Sequence, residues 1–324
     1  MSFKTGLLFT KPRTPLPLPG SYAPPQCPPI PPPTPRSHPP ALDNPLPRLT
    51  TLVVDFDGTL TTHDTLSTIA ALAGSSDSSI NSCANEAPTW SDLVESYTND
   101  LASTESAAAT TSDLSTYLAL FRPVEHRSIE RVSASRVLSG INRPMLRAAG
   151  KGVELRAGSQ RVLARWQEWQ QRHRRAEETT LGASPAVVVN SVNWSKDLVS
   201  AQLDKSVVVL CNDLHFDESG GSTGVVEGDM LVAADKLKAV VTVCPGLDRC
   251  VAVGDSQTDL LVLLSAEIGI LIAPSAETIQ TCDRFEIELE EISHCPGASK
   301  RGSTLYVAAD WNEIEQLLER MGAL

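Results

Sequence analysis

The run Leu52-Val53-Val54-Asp55-Phe56-Asp57-Gly58-Thr59-Leu60-Thr61 constrains this chain more than any other segment. An apolar strand ends in two aspartates, and a Gly-Thr turn follows at once. Alternate residues of a strand share a face, so Asp55 and Asp57 can both address one spot. In an open α/β sheet that spot lies outside the carboxyl end of the strand, where such sheets bind ligands. Two crowded carboxylates repel. A divalent cation between them, or a proton on one of them, relieves the repulsion. Asp and Gly also favour turns for local reasons, so the rest of the chain has to decide.

Three later segments bear on that decision. Ala186-Val187-Val188-Val189-Asn190-Ser191 reads as a second buried strand, ending in a hydroxyl that can donate to a phosphoryl oxygen. A strand end or a helix cap is the plainer role for the same serine. Lys236, in Ala233-Ala234-Asp235-Lys236-Leu237-Lys238, opens an amphipathic segment. It is either solvated surface or the counter-charge to a phosphate and the aspartates. Cys250-Val251-Ala252-Val253-Gly254-Asp255 is a third apolar strand ending in an acid, and Asp259 follows four residues later. If a helix starts near Ser256, Asp259 lies in its first turn, where carboxylates are favoured. From there it can lean back toward Asp255.

Strand signals at 51–55, 186–190, 207–211, 250–254 and 268–272 alternate with helical ones. That alternation predicts an α/β fold with a parallel sheet between two helical layers. Between Leu60 and about Val153 no comparable β run occurs, and Tyr97, Leu101, Tyr117, Leu118 and Phe121 suggest helices. Ser75-Ser76-Asp77-Ser78-Ser79 and the Ser/Thr-rich stretch 103–115 read as loops. A helix carrying Leu163, Trp166 and Trp169 on one side ends in Arg172-His173-Arg174-Arg175, cations that complement a helix C-terminus. Asp310-Trp311-Asn312-Glu313-Ile314 opens a final helix with Leu317 and Leu318 facing inward.

The first 49 residues hold most of the prolines and have no acid before Asp43. Pro removes amide donors and is excluded from helix interiors, so this segment reads as a disordered or polyproline-II tail. It is a variable tail, or a ligand for a proline-recognition domain. Its Lys4, Lys11, Arg13 and Arg36 in an acid-poor setting also fit a mitochondrial or plastid address, although Pro12 and Pro15 interrupt any amphipathic helix. The expected compartment is the cytoplasm. No apolar stretch approaches the roughly 20 residues that cross a bilayer, so no membrane partner is expected. The net charge of −12 argues against nonspecific nucleic-acid binding, which needs basic surface. Seven cysteines without a CxxC pair indicate neither a disulfide framework nor a zinc site.

Taken in order, DxDGT at Asp55, the strand-end Ser191, Lys236 and GDSxxD at Gly254–Asp259 resemble the motifs of the haloacid dehalogenase (HAD) superfamily. Within it the resemblance is to phosphoserine-phosphatase-like enzymes. More narrowly, it is to the HAD domain that plants fuse to a thiaminase-like domain and that acts as a thiamine monophosphate phosphatase. Asn193-Trp194-Ser195-Lys196-Asp197-Leu198, Ser222-Thr223-Gly224 and Ala266-Glu267-Ile268-Gly269-Ile270 carry that narrower likeness. The resemblance implies a Rossmann-like HAD core at 50–64 and 154–324 and a helical cap inserted at 65–153. It implies an Mg²⁺-dependent phosphomonoesterase acting on a small phosphorylated metabolite. Asp55 is then the nucleophile and Asp57 the general acid and base. Ser191, Lys236 and backbone groups near Gly58 hold the phosphoryl, and Asp55, Asp57, Asp255 and Asp259 form the metal site. Asp64, nine residues after Asp55, sits where related enzymes contact the substrate's positive group, and equally where an N-cap of the next helix belongs. Other readings are a protein or nucleotide phosphatase, or a catalytically idle regulator that binds a phosphometabolite.

Overall fold

Four short apolar strands, each buried on both faces, set the frame. In a computed structural model they are β1 (Thr51–Val54), β3 (Val187–Asn190), β7 (Cys250–Gly254) and β8 (Ile268–Ile272). Continuous Val/Ile/Leu runs suit a parallel sheet, because helices cover both of its faces. The structure describes residues 49–73, 88–173, 184–295 and 303–324. The expected proline-rich tail, the Ser75–Ser79 loop and the basic pair Arg174-Arg175 lie outside those residues.

The remaining strands are β2 (Ser139–Asn142), β4 (Val208–Leu210), β5 (Asp213–Phe216), β6 (Gly221–Glu227), β9 (Glu288–Glu291) and β10 (Thr304–Ala308). The helices up to the second core strand are α1 (Leu66–Ala73), α2 (Trp90–Ala108), α3 (Leu114–Ala119), α4 (Arg122–Ser135), α5 (Arg143–Gly152) and α6 (Ser159–His173). Those after it are α7 (Lys196–Val199), α8 (Ala233–Val243), α9 (Leu260–Ser265), α10 (Ala276–Arg284) and α11 (Trp311–Arg320).

A seven-stranded sheet runs β4-β3-β1-β7-β8-β10-β9, with every neighbouring pair parallel. The fold is therefore α/β, as the strand–helix alternation predicts. The chain leaves β1 toward β3 and β4 on one side, and later returns to β7 and β8 on the other. Strand order thus reverses at β1, and the crevice beyond its carboxyl end is a topological switch point. Val54 pairs with Val189 and with Val253, which aligns the ends of three strands. Asp55, Ser191 and Asp255 follow those ends.

Among the described residues of 66–152 the chain forms helices α1 to α5 and one strand. That strand, β2, pairs antiparallel with β6, and β6 with β5, giving a second, three-stranded sheet. The expected loop over 103–115 is partly helix, because α2 runs on to Ala108. Its hydroxyls bond back to the preceding turn: Ser103 to the Asn99 carbonyl (2.9 Å), Thr104 to Asp100 (3.0 Å) and Ser106 to Ala102 (3.0 Å). Such back-bonding satisfies Ser and Thr inside a helix. Along α6, Val162, Leu163 and Trp166 are buried, and Arg172 and His173 are exposed in the last turn. Leu317 and Leu318 of α11 are buried, as its pattern requires. Among the described residues no helix is long and apolar enough to cross a membrane.

Candidate active site

The turn after β1 leaves the strand through Gly58, whose φ of 78° favours a residue without Cβ. Its N–H donates to Thr61 Oγ1 (3.0 Å), so that amide is engaged inside the loop. Two side chains from distant segments hold the loop's carbonyls. Arg156 Nε donates to the Gly58 carbonyl (3.0 Å), and Trp311 Nε1 to that of Thr59 (3.0 Å). The DxDGT turn is thereby braced from outside.

Lys236 lies in the first turn of α8. Asp235 fixes that turn by accepting from the N–H groups of Leu231 and Val232 (both 3.0 Å). The Lys236 side chain is 1% exposed and its Nζ donates to Asp55 Oδ1 and Asp259 Oδ1, both at 2.7 Å. The solvated-surface reading of Lys236 is excluded by this burial. Asp259 Oδ2 accepts from Ser256 Oγ (2.9 Å), Ser256 N (3.1 Å) and Asp255 N (3.3 Å). It thus caps its own turn with one oxygen and orients the lysine with the other. Thr59 Oγ1 donates to Asp255 Oδ1 (3.3 Å).

Asp55, Asp255 and Asp259 are all buried, with one carboxylate oxygen from each lying within 4.8 Å of the others. Burial pushes the Asp55 carboxyl well above the usual range; Lys236 pulls it back, while Asp259 and Asp255 push it further up. Burial opposes the charge on Lys236, but Asp259 and Asp55 together outweigh it and hold the ammonium above the ordinary lysine range. Three carboxylates around one ammonium leave a surplus of negative charge. Hard oxygen donors with such a surplus suit a divalent cation such as Mg²⁺.

Asp57 stands apart from this cluster. The structure brings Asp55, Asp255 and Asp259 together, but the Asp57 carboxylate is not among them. Its Oδ1 accepts from Thr65 N (2.9 Å) and Thr65 Oγ1 (2.7 Å), and its Oδ2 from Asn193 Nδ2 (2.9 Å). Burial raises its carboxyl, and the bonds from Asn193 and Thr65 lower it in part. Ser191 is buried at the end of β3, and its Oγ accepts from the Asn193 N–H (3.1 Å). Asp64 Oδ1 accepts from the Leu66 N–H (2.9 Å) at the start of α1, while the Thr65 carbonyl accepts the first helical bonds, from the N–H groups of Thr68 and Ile69. His63 is exposed. Thr65, Asn193 and Arg156 were not legible as site residues. The Asn-x-Ser after β3 was the one local signal, since Asn and Ser at a strand end bond backbone groups in turns.

Gly254 closes β7 for a steric reason. A Cβ there would lie 2.5 Å from both Cβ and Cγ of Asp259. Gly254→Ala is expected to push Asp259 off Lys236 and to cost about 1–3 kcal/mol, the range for overpacked sites. Urea denaturation measures it, and an unchanged midpoint would contradict this packing.

No protein-family model matches the chain. A CTO1 family protein of Schizosaccharomyces pombe is 26% identical over 296 residues, which cover 82% of this chain and 97% of that protein. The mitochondrial bifunctional TH2 protein of Arabidopsis thaliana is 25% identical over 216 residues, 59% of this chain and 33% of that protein. The similarity to it therefore spans about a third of its length. Among solved structures, a phospho-aspartyl intermediate analogue of phosphoserine phosphatase aligns at 17% identity with a TM-score of 0.47, covering 83% of this chain and 99% of that one. In the order of its motifs and in its parallel sheet, the chain resembles HAD hydrolases of the phosphoserine-phosphatase type.

Proposed function

We propose that this chain is a HAD-type phosphatase, a phosphomonoesterase that works through an aspartyl phosphate on a small phosphorylated metabolite. One observation carries the reading. Asp55 sits at the switch point of the sheet, tied to a buried Lys236, while a second aspartate two residues on is held separately by neutral donors. The two carboxylates thus have different environments, which is how one site runs nucleophilic and acid–base chemistry together.

In the first step an Asp55 oxygen bonds to phosphorus as the ester P–O bond breaks. Asp57 gives its proton to the departing oxygen, for which its burial-raised carboxyl suits it. In the second step Asp57 takes a proton from water as the water oxygen bonds to phosphorus and the Asp55–phosphorus bond breaks. Lys236 and the Ser191 hydroxyl face the charge on the transferring group. Asp55 and Asp255, with the Asp57 backbone carbonyl, would hold Mg²⁺, with Asp259 steadying Lys236 beside them. When bound, the ion offsets phosphoryl charge as a Lewis acid.

Residues 65–153 act as a cap over a core of 50–64 and 154–324, excluding water and selecting the leaving group. Asp64, the last core residue before the cap, selects a cationic alcohol moiety, and thiamine monophosphate is one candidate. Phosphate release should be measured with Mg²⁺ from thiamine monophosphate, phosphoserine, phosphocholine, phosphoethanolamine, pyridoxal phosphate and an aryl phosphate. Release from at least one ester, abolished by EDTA and restored by Mg²⁺, is the expected result. No release from any ester, with Mg²⁺ bound, would favour the idle regulator.

A further inference from the structure

We propose that Asn193 and Thr65 are positioning residues that give the two oxygens of Asp57 different tasks, anchoring Oδ1 and leaving Oδ2 to carry the proton. This inference rests on the phosphatase reading above.

A carboxylate offers about four lone-pair directions, two on each oxygen. Thr65 fills both on Asp57 Oδ1, through its N–H (2.9 Å) and its hydroxyl (2.7 Å). Asn193 Nδ2 fills one on Oδ2 (2.9 Å). One direction on Oδ2 is left for a proton or a leaving oxygen.

The donors are themselves fixed. Asn193 is fully buried and Thr65 is 3% exposed. The Asn193 Oδ1 accepts from the Ser195 N–H (3.0 Å), which turns its amide so that the NH₂ faces Asp57. The second Nδ2 hydrogen goes to Thr65 Oγ1 (2.8 Å). An amide NH₂ can only donate, so the Thr65 hydroxyl accepts from Asn193 and must donate to Asp57. The three side chains close a ring in which Asn193 donates to both of the others, Thr65 accepts from Asn193 and donates to Asp57, and Asp57 only accepts. Both halves of the reaction then use the same atom. Oδ2 releases its proton to the ester oxygen as the P–O bond breaks, and it receives the water proton as the Asp55–phosphorus bond breaks.

The test compares two leaving groups on the full chain with Mg²⁺: glycerol 2-phosphate, whose alkoxide needs a proton, and 4-nitrophenyl phosphate, whose phenolate does not. Asn193→Ala and Thr65→Val are expected to lower kcat on the alkyl ester by roughly 10²-fold, within the span of general acid–base effects, and on the aryl ester far less. Thr65→Ser keeps the hydroxyl and is expected to stay near wild type on both esters. Thermal melts report folding of each variant; if Asn193→Ala does not fold, the Thr65→Val and Thr65→Ser pair decides. Equal losses on the two esters, or no loss on either, would overturn the proposal. So would a Thr65→Ser variant as impaired as Thr65→Val. A wild-type chain that hydrolyses neither ester, nor any phosphate of the wider panel, would instead remove the phosphatase reading beneath it.

Discussion

Asp55→Asn is expected to lower phosphate release by about 10⁴-fold or more, the scale of losing a covalent nucleophile. The substitution removes the attacking oxygen while keeping size and shape. An amide oxygen still accepts a hydrogen bond, so Lys236 retains both of its partners at 2.7 Å in outline. Burial already disfavours a charge on Asp55, so the neutral amide should fold as well as the wild type. The measurement is phosphate release with Mg²⁺, paired with acid-quench trapping of phosphoenzyme from a labelled ester. Wild type should carry label and the variant none. A folded Asp55→Asn protein that keeps a tenth of the activity would rule out Asp55 as the nucleophile.

The largest stability effect is expected at Lys236. Lys236→Met fills similar volume but withdraws the ammonium from between Asp55 and Asp259, each 2.7 Å away and each buried. Breaking a buried pair from one side strands the remaining charges, at a cost of about 3–5 kcal/mol. The sign with pH follows from the carboxylates. A carboxyl whose folded pKa is raised binds its proton in the folded state over a window where the unfolded chain has lost it. Stability therefore falls as pH rises through that window, which begins near the ordinary value of 3.8 for Asp55. Without Lys236 nothing draws Asp55 back down, so the deficit should be larger at pH 8 than at pH 5. In the wild type the raised lysine pKa acts oppositely. Its stabilisation is complete below the ordinary lysine value of 10.5 and is lost only as pH climbs through the higher folded pKa. Urea midpoints at pH 5 and pH 8 measure the first point, and wild-type midpoints carried above pH 10.5 the second. A variant as stable as wild type at pH 8 would show that the ammonium does not balance the cluster.

The strands that frame the site could be read from the chain because burial on both faces leaves continuous apolar runs. Those at 250–254 and 268–272 match β7 and β8 residue for residue. Strand β9 escaped because its sequence is Glu-Leu-Glu-Glu, charge-rich as befits a sheet edge. The β5–β6 hairpin escaped although Ser219-Gly220-Gly221 is a turn signal between Phe216 and Val225. The acids and the lysine were legible because each ends a strand or opens a helix. Thr65 and Asn193 were not, since their role is a bond to Asp57 across 8 and 136 residues. A side chain that acts only through another leaves no periodicity or spacing to find.

The second sheet bears on how this architecture can be re-engineered. Strand β2 arises between α4 and α5, yet its partner β6, with β5 beyond it, arrives some 80 residues later, as in the pairing of Ser139 with Thr223. Helix α4 is bound to the same hairpin, with the Val226 N–H donating to Ser133 Oγ (3.1 Å) and Arg136 Nη1 to the Thr223 carbonyl (2.8 Å). Residues 65–153 are thus not a self-contained cassette. Grafting them onto another scaffold without residues 213–227 would leave β2 unpaired, and excising them would uncover Leu214 and Val226, both buried here. A transplant of residues 65–153 has to move two discontinuous pieces of chain as one unit.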